Sequence, residues 1–192
     1  AELGVSHIPV REALARLEEE GLVVRLPRRG ARVAELTSRT LEETSTLRVV
    51  LERLVVERAQ QRWTAEAQAA LQGMVDRMRE AAGRHDVPAV LALDQQFHER
   101  LWQVADHSLL LEVAAQMRGR TNRFFRAAAT SLAPDEVRQH AESHQVLLDV
   151  IASGDRERAA EAMREHIEIA ARRISEHTGG APVDQGAAGR AP

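Results

Sequence analysis

The 192-residue chain contains no cysteine, which excludes disulfides, thiolate metal centres and cysteine nucleophiles together. It also has no tyrosine, with three Phe and two Trp, so Leu, Val, Ala and Met must supply most of the packing. No apolar run reaches the roughly 20 residues that a membrane helix needs, and no signal peptide is visible. A large basic field is missing as well, because the net charge is −3. That removes a general electrostatic attraction for nucleic acid but not a small DNA-reading module carried on an acidic partner domain. At 44% hydrophobic and 29% charged residues, a packed core is expected. A cytoplasmic protein is the default.

The chain starts inside a pattern. Residues 2–4 read as the end of a helix stopped at Gly4, so the natural N-terminus is expected to lie upstream. Ser6 suits the cap of a second helix with Pro9 in its first turn. Val10, Ala13, Leu14 and Leu17 give that helix one apolar stripe, and His7 and Arg11 fall off it near the N-terminal end. Gly21 ends the helix. LVVRL, the turn PRRG and ARVAEL then read as two short strands joined by a basic hairpin. Helix, turn, helix and hairpin in this order describe a winged helix-turn-helix over residues 1–36.

A recognition helix presents its N-terminal residues to base edges and phosphates. Arg11 is the expected base or phosphate contact, because a guanidinium fork matches guanine or a phosphate. Ser6, His7 and Pro9 stand beside it, and Arg28, Arg29, Gly30 and Arg32 make a positively charged wing. An ordinary helix with a solvated arginine face explains the spacing equally well.

From Thr40 onward only helical periodicity is present. Six helices are expected at 40–62, 64–84, 87–105, 108–130, 134–153 and 155–176, punctuated by Thr64, Pro88, Ser108, Pro134 and Gly154-Asp155. Leu47, Val50, Leu51 and Leu54 read as one buried stripe, and Leu71, Met74, Val75 and Met78 as another. This makes residues 40–177 an all-α six-helix bundle. Residues 178–192 have no periodicity and read as a disordered tail.

Several polar residues lie on inward stripes. Asp94 and His98, four apart, share a face with Val87, Val90, Leu91, Leu101 and Ala105. His144 lies with Val137, Leu148 and Ile151, and His166 with Ala159, Ala162, Met163 and Ala170. A buried carboxylate is costly unless it is paired, hydrogen-bonded or bound to metal. Each His alone reads best as a satisfied core residue. Four such residues together read better as a divalent metal site of Asp94, His98, His144 and His166, suited to Zn, Ni or Mn. His140, one turn before His144, is an alternative ligand. Arg48 shares a face with Leu41, Leu51 and Val55 and reads either as a bidentate partner for a small carboxylate effector or as an ion pair with Glu52. Thr121, on the stripe of Met117 and Phe125, adds a hydroxyl to the same pocket.

LGVSHIPVREALARLEEEGLV followed by RRGARVAEL resembles the C-terminal two-thirds of the DNA-binding domain of GntR-family bacterial transcription regulators. His7 departs from the Arg usual there. The resemblance implies an N-terminally truncated regulator. Residues 40–176, with ESHQVLLDVIASGDRERAAEAMREHI, resemble the FCD effector domain of the FadR-type branch, and six helices resemble its VanR-like subgroup. The Asp-x3-His, His, His pattern of metal-binding members falls on Asp94, His98, His144 and His166. What the resemblance implies is a homodimeric repressor on a palindromic DNA operator, responsive to a small carboxylate held with a metal and Arg48. The competing readings are a metal-dependent hydrolase on the Asp/His site and an inert helical dimerisation module. No general base, Ser–His–Asp set or Gly-rich phosphate loop accompanies the site, which disfavours the hydrolase.

Overall fold

The computed structural model describes residues 7–19, 21–26 and 29–178. Helix α1 (His7–Glu19) is followed by strands β1 (Val23–Leu26) and β2 (Gly30–Val33), and then by α2 (Ser38–Gln61), α3 (Ala65–Gly83), α4 (Val87–Ala105), α5 (Ser108–Ala128), α6 (Pro134–Ala152) and α7 (Arg156–Thr178). The expected mainly α fold, part of a winged helix-turn-helix followed by six helices, is the fold observed. Ser6, Arg28 and the proposed tail after residue 178 lie outside the described residues.

The helix starts follow from their caps. Thr37 Oγ1 accepts from the Thr40 amide, Thr64 Oγ1 from Ala67 and Asp86 Oδ1 from Ala89, each satisfying an orphan donor of the first turn. Pro88 and Pro134 occupy first-turn positions that need no amide hydrogen. At α5 the cap is His107, whose Nδ1 accepts from Leu110, and the helix starts at Ser108 as expected.

β1 and β2 pair antiparallel, with Val23 opposite Val33 and Leu26 opposite Gly30. Gly30 has φ +84°, a left-handed conformation that a Cβ would strain. The expected stripe of α1 is only partly covered: Leu14 and Leu17 are half-buried, whereas Val10 and Ala13 are exposed. Within the described residues β1 is the element packed on α1.

In the bundle α2 lies along α7 and also touches α4 and α5, while α3 packs on α4 and α6. One core, including Val55, Leu71, Val75, Met78, Phe97, Leu101, Leu147 and Met163, fills the space among these helices. A second, smaller cluster joins Leu41, Phe124, Phe125, Ala170 and Ile174, with Leu36 of the connection leaning on it.

The stripe expected on α2 is the wrong one. Leu47, Val50 and Leu54 are 54%, 66% and 43% exposed. The inward face is instead Leu41, Thr44, Ser45, Arg48, Glu52, Val55, Val56 and Ala59. Four polar side chains on a buried face defeat a reading based on apolar spacing. Three of them are satisfied, since Arg48 and Glu52 pair with one another and Thr44 donates to the Thr40 carbonyl, while Ser45 Oγ has no hydrogen-bond partner.

Leu71 is fully buried between α3 and the rest of the bundle. Leu71→Ala should cost about 2–5 kcal/mol, read as a lower urea midpoint with an unchanged m-value.

Candidate metal and effector site

Helices α4, α6 and α7 bring Asp94, His98, His144 and His166 together in the buried interior. One ligand atom from each of the four lies within 4.8 Å of the others. His144 Nε2 is 3.0 Å and His98 Nε2 3.8 Å from Asp94 Oδ1. His140 stands beside the set and not within it: its Nε2 is 3.3 Å from Asp94 Oδ1 without the alignment of a hydrogen bond.

The groups behind the rings decide which nitrogen carries the proton. His144 Nδ1 lies 2.9 Å from the His140 carbonyl, an acceptor only, so Nδ1 donates. His98 Nδ1 lies 3.1 Å from Glu52 Oε2 and donates to that carboxylate. Ser143 Oγ spends its proton on the His140 carbonyl at 2.7 Å, so it accepts from His166 Nδ1 at 3.1 Å. In the neutral imidazoles all three Nε2 atoms are therefore bare lone pairs. His144 Nε2 then faces a carboxylate oxygen, acceptor against acceptor, and His98 Nε2 is buried with no hydrogen-bond partner. A cation among them resolves both conflicts, and a carboxylate behind a ligating His is the usual way to hold its tautomer and orientation.

The electrostatics favour that ionisation pattern. Burial opposes the charge of Asp94, but the Arg118 guanidinium outweighs it and holds the carboxyl well below its ordinary value. Glu52 is likewise kept ionised against burial by Arg48 and His98. Burial, reinforced by the charge of Arg118, pushes His98 down to about 4. His166 is lowered by burial and by its neighbouring histidines, and His140 chiefly by burial.

Arg48 is buried and donates through Nε and Nη2 to Glu52 Oε1 at 2.9 and 2.7 Å. The ion pair weighed for it is present, and it reaches the ligand set through Glu52 and His98. Thr121 is buried and donates to the Met117 carbonyl of its own helix. Arg118, absent from the sequence reading, is buried on α5 and ion-paired with Asp94 Oδ2. It was hidden in the arginine-rich run RGRTNR, which reads as a solvated face. Its spacing from Leu110, Ala114, Thr121 and Phe125, all buried, is the signal that marks it as inward. Glu52 and Ser143 were also missed as supports of the histidines.

A groove of about 370 Å³ between α4 and α5 reaches Asp94 and is lined by Leu91, Gln95, Asn122, Phe125 and Arg126 among others. A larger groove, about 510 Å³, runs between α2 and α7 and contains none of the four clustered residues. His7 opens α1, with its side chain outside the described residues, while Pro9 and Arg11 are exposed on that helix. Arg29 and Gly30 are exposed at the hairpin, and Arg32 pairs with Glu35 at 2.9 Å.

Comparison with known proteins gives this geometry its setting. Residues 43–169 match the FCD domain, and residues 1–33 match the bacterial regulatory proteins of the gntR family. The chain is 27% identical over 172 residues to the HTH-type transcriptional regulator McbR of Escherichia coli K12, covering 88% of this chain and 78% of McbR. It is 28% identical over 167 residues to a probable D-xylose utilization operon transcriptional repressor of Paenarthrobacter nicotinovorans, covering 87% and 72%. In structure it is similar to E. coli McbR/YncC, with a TM-score of 0.80 at 24% identity over 92% of this chain and 84% of that one. The metal-free FCD domain of TM0439, a putative transcriptional regulator, shares the fold at a TM-score of 0.62 and 17% identity, covering 76% and 99%. The family and these relatives are regulators and not enzymes, which leaves the hydrolase reading without support. The chain belongs to the GntR family of bacterial transcription regulators and carries an FCD domain as its ligand-responsive part.

Proposed function

We propose that residues 40–177 sense a small organic acid at a divalent metal, and that residues 1–36 read a palindromic operator as half of a homodimer in the cytoplasm. The observation that carries the sensing role is the set of three buried Nε2 lone pairs converging with Asp94. Three neutral imidazoles and one carboxylate fit Zn, Ni or Mn. Asp94, His98, His144 and His166 would hold the ion, which supplies a Lewis-acidic point for an anionic ligand.

Charge balance argues for that ligand class. Asp94 and Glu52 are matched one for one by Arg118 and Arg48. A divalent cation therefore leaves the pocket positive, and a carboxylate lowers that charge. The groove between α4 and α5 provides the approach, with Arg126 at its edge and Asn122 and Gln95 to select among acids. Arg48 acts on the pocket through Glu52, and Thr121 of α5 would add its hydroxyl to the same pocket. Operator release on ligand binding, as in a repressor, follows if the two arrangements of the DNA-reading heads bind the ligand unequally.

Dimerisation finds its surface on α2. Leu47, Val50 and Leu54 recur at i, i+3 and i+7 as an exposed aliphatic ridge on a helix whose opposite face is buried. A second copy of the chain covers such a ridge symmetrically. Val50→Asp should convert dimer to monomer in sedimentation, and an unchanged dimer mass would place the interface elsewhere.

Chelation tests the metal. At a hundredfold excess of ligand over its Kd, binding adds about 2.7 kcal/mol of stability, roughly 5–10 °C for a chain of this size. EDTA should lower Tm by that order, and one of Zn, Ni or Mn should restore it. His144→Ala should remove the response, and equal melts with and without EDTA would refute the metal reading.

The metal-free protein should also lose stability in mild acid. His98 stays neutral down to about 4 in the folded state, and His140 and His166 are lowered in the same sense from 6.5. Between pH 6.5 and about 4 the unfolded chain binds more protons than the folded one, so stability falls as pH falls through that window. Denaturant midpoints at pH 7.5 and 5 report this, and a flat profile would contradict it.

A further inference from the structure

Of the four arginines on helix α5, three reach the ligand set or the DNA-reading part. Arg118 reaches inward and pairs with Asp94. Five residues on, Arg123 Nη1 donates to the Gly21 carbonyl and Nη2 to the Ala34 carbonyl, both at 2.5 Å. Gly21 is the left-handed residue just beyond α1, and Ala34 follows β2 directly. The Ala34 amide donates to the Leu22 carbonyl at 2.9 Å, so Arg123 grips both ends of the hairpin at one point. Arg120 lies beside it: its Nη2 is 3.4 Å from the Glu19 carbonyl, and a Cβ on Gly21 would sit 2.9 Å from Arg120 Cζ. The next residues, Phe124 and Phe125, belong to the cluster on which Leu36 rests.

The contacts of Arg120 and Arg123 serve neither the bundle core nor the ligand set. They tie the last turn of the DNA-reading helix and the root of its wing to a single segment of α5, through backbone carbonyls. A helix is stiff over this distance, about 7.5 Å of axial rise between residues 118 and 123 at 1.5 Å per residue. Displacement at Arg118 must therefore be carried to Arg123.

We propose that the 118–125 segment of α5 couples the Asp94 pocket to the DNA-reading head, with Arg123 as the residue that positions α1 and the hairpin on it. This rests on the ligand-site reading above. Asp94 holds Arg118 on Oδ2 and turns Oδ1 to the imidazoles. A cation held at Asp94 would weaken its hold on Arg118. The freed guanidinium turns to an incoming carboxylate, and α5 shifts with it. Coupling of this kind needs an element that both sites bias, and α5 is in contact with both.

Amide hydrogen exchange of the full chain tests this, with Zn²⁺ alone as the probe against EDTA-treated protein. In the wild type, Zn²⁺ should change exchange in residues 21–34 several-fold as well as in α4 and α6. In Arg123→Gln the change in 21–34 should vanish, while Zn²⁺ affinity and the response of α4 and α6 persist. A response in α4 and α6 with none in 21–34 of the wild type would overturn the coupling, as would an undiminished hairpin response in Arg123→Gln. If Zn²⁺ alters exchange nowhere, the metal reading has failed, and Asp94→Asn, or Arg118→Lys if that variant does not fold, decides the coupling separately. Altered exchange at 21–34 that is lost in the double variant with Arg123→Gln supports it, and unaltered exchange refutes it.

Discussion

The structure depends on a buried negative charge that has more partners than it can satisfy. Asp94 lies in the middle of α4 with an arginine on one oxygen and three histidines facing the other. Removing a carboxylate from water without compensation costs several kcal/mol. Arg118 supplies the compensation, and its own burial is acceptable only because Asp94 is there. The Arg48–Glu52 pair repeats this arrangement one layer away and meets the first through His98. Four helices are thus joined at the centre of the bundle by charges, around which the aliphatic core closes. Such a centre is specific more than it is stabilising, since buried pairs return little net free energy while strongly penalising wrong arrangements.

That specificity makes the centre suitable for sensing. An apolar core has one well-packed state and no reason to respond to a metabolite. A cluster with bare imidazole lone pairs and a divided carboxylate changes its internal balance when charge is added, and the nearby helices must accommodate the change. The DNA-reading part is held lightly by comparison. Its described contacts with the bundle are a few arginine-to-carbonyl bonds and the packing of Leu36. A light attachment can be repositioned without unfolding either part, which an extensive apolar interface would resist.

Local sequence signals served the helices well and the faces less well. Thr64, Pro88 and Pro134 mark helix starts because capping and proline effects act within one turn. The inward positions of His98, His144 and His166 followed from their apolar neighbours at helical spacing. Leu47, Val50 and Leu54 misled for the converse reason: α2 has an aliphatic ridge outside and polar residues within, and periodicity measures amphipathicity without its direction. Arg118 was missed because an arginine among arginines looks solvated until its carboxylate partner, 24 residues away, is known to face it.

By itself the sequence determined the secondary structure, the order of a small winged module and a helical bundle, and the candidate metal-ligating residue types, since each is set by chemistry within a turn or two of chain. Only the tertiary structure decided which face of α2 is inside, that Asp94, His98, His144 and His166 bring ligand atoms within 4.8 Å of one another, and which imidazole nitrogens face backbone or carboxylate partners. It also brought Arg118 to Asp94 and Arg123 to the root of the wing. Those outcomes depend on groups 20 to 100 residues apart meeting in space. The rule behind them is that a buried charge or polar group must find a partner, and sequence spacing does not say from where.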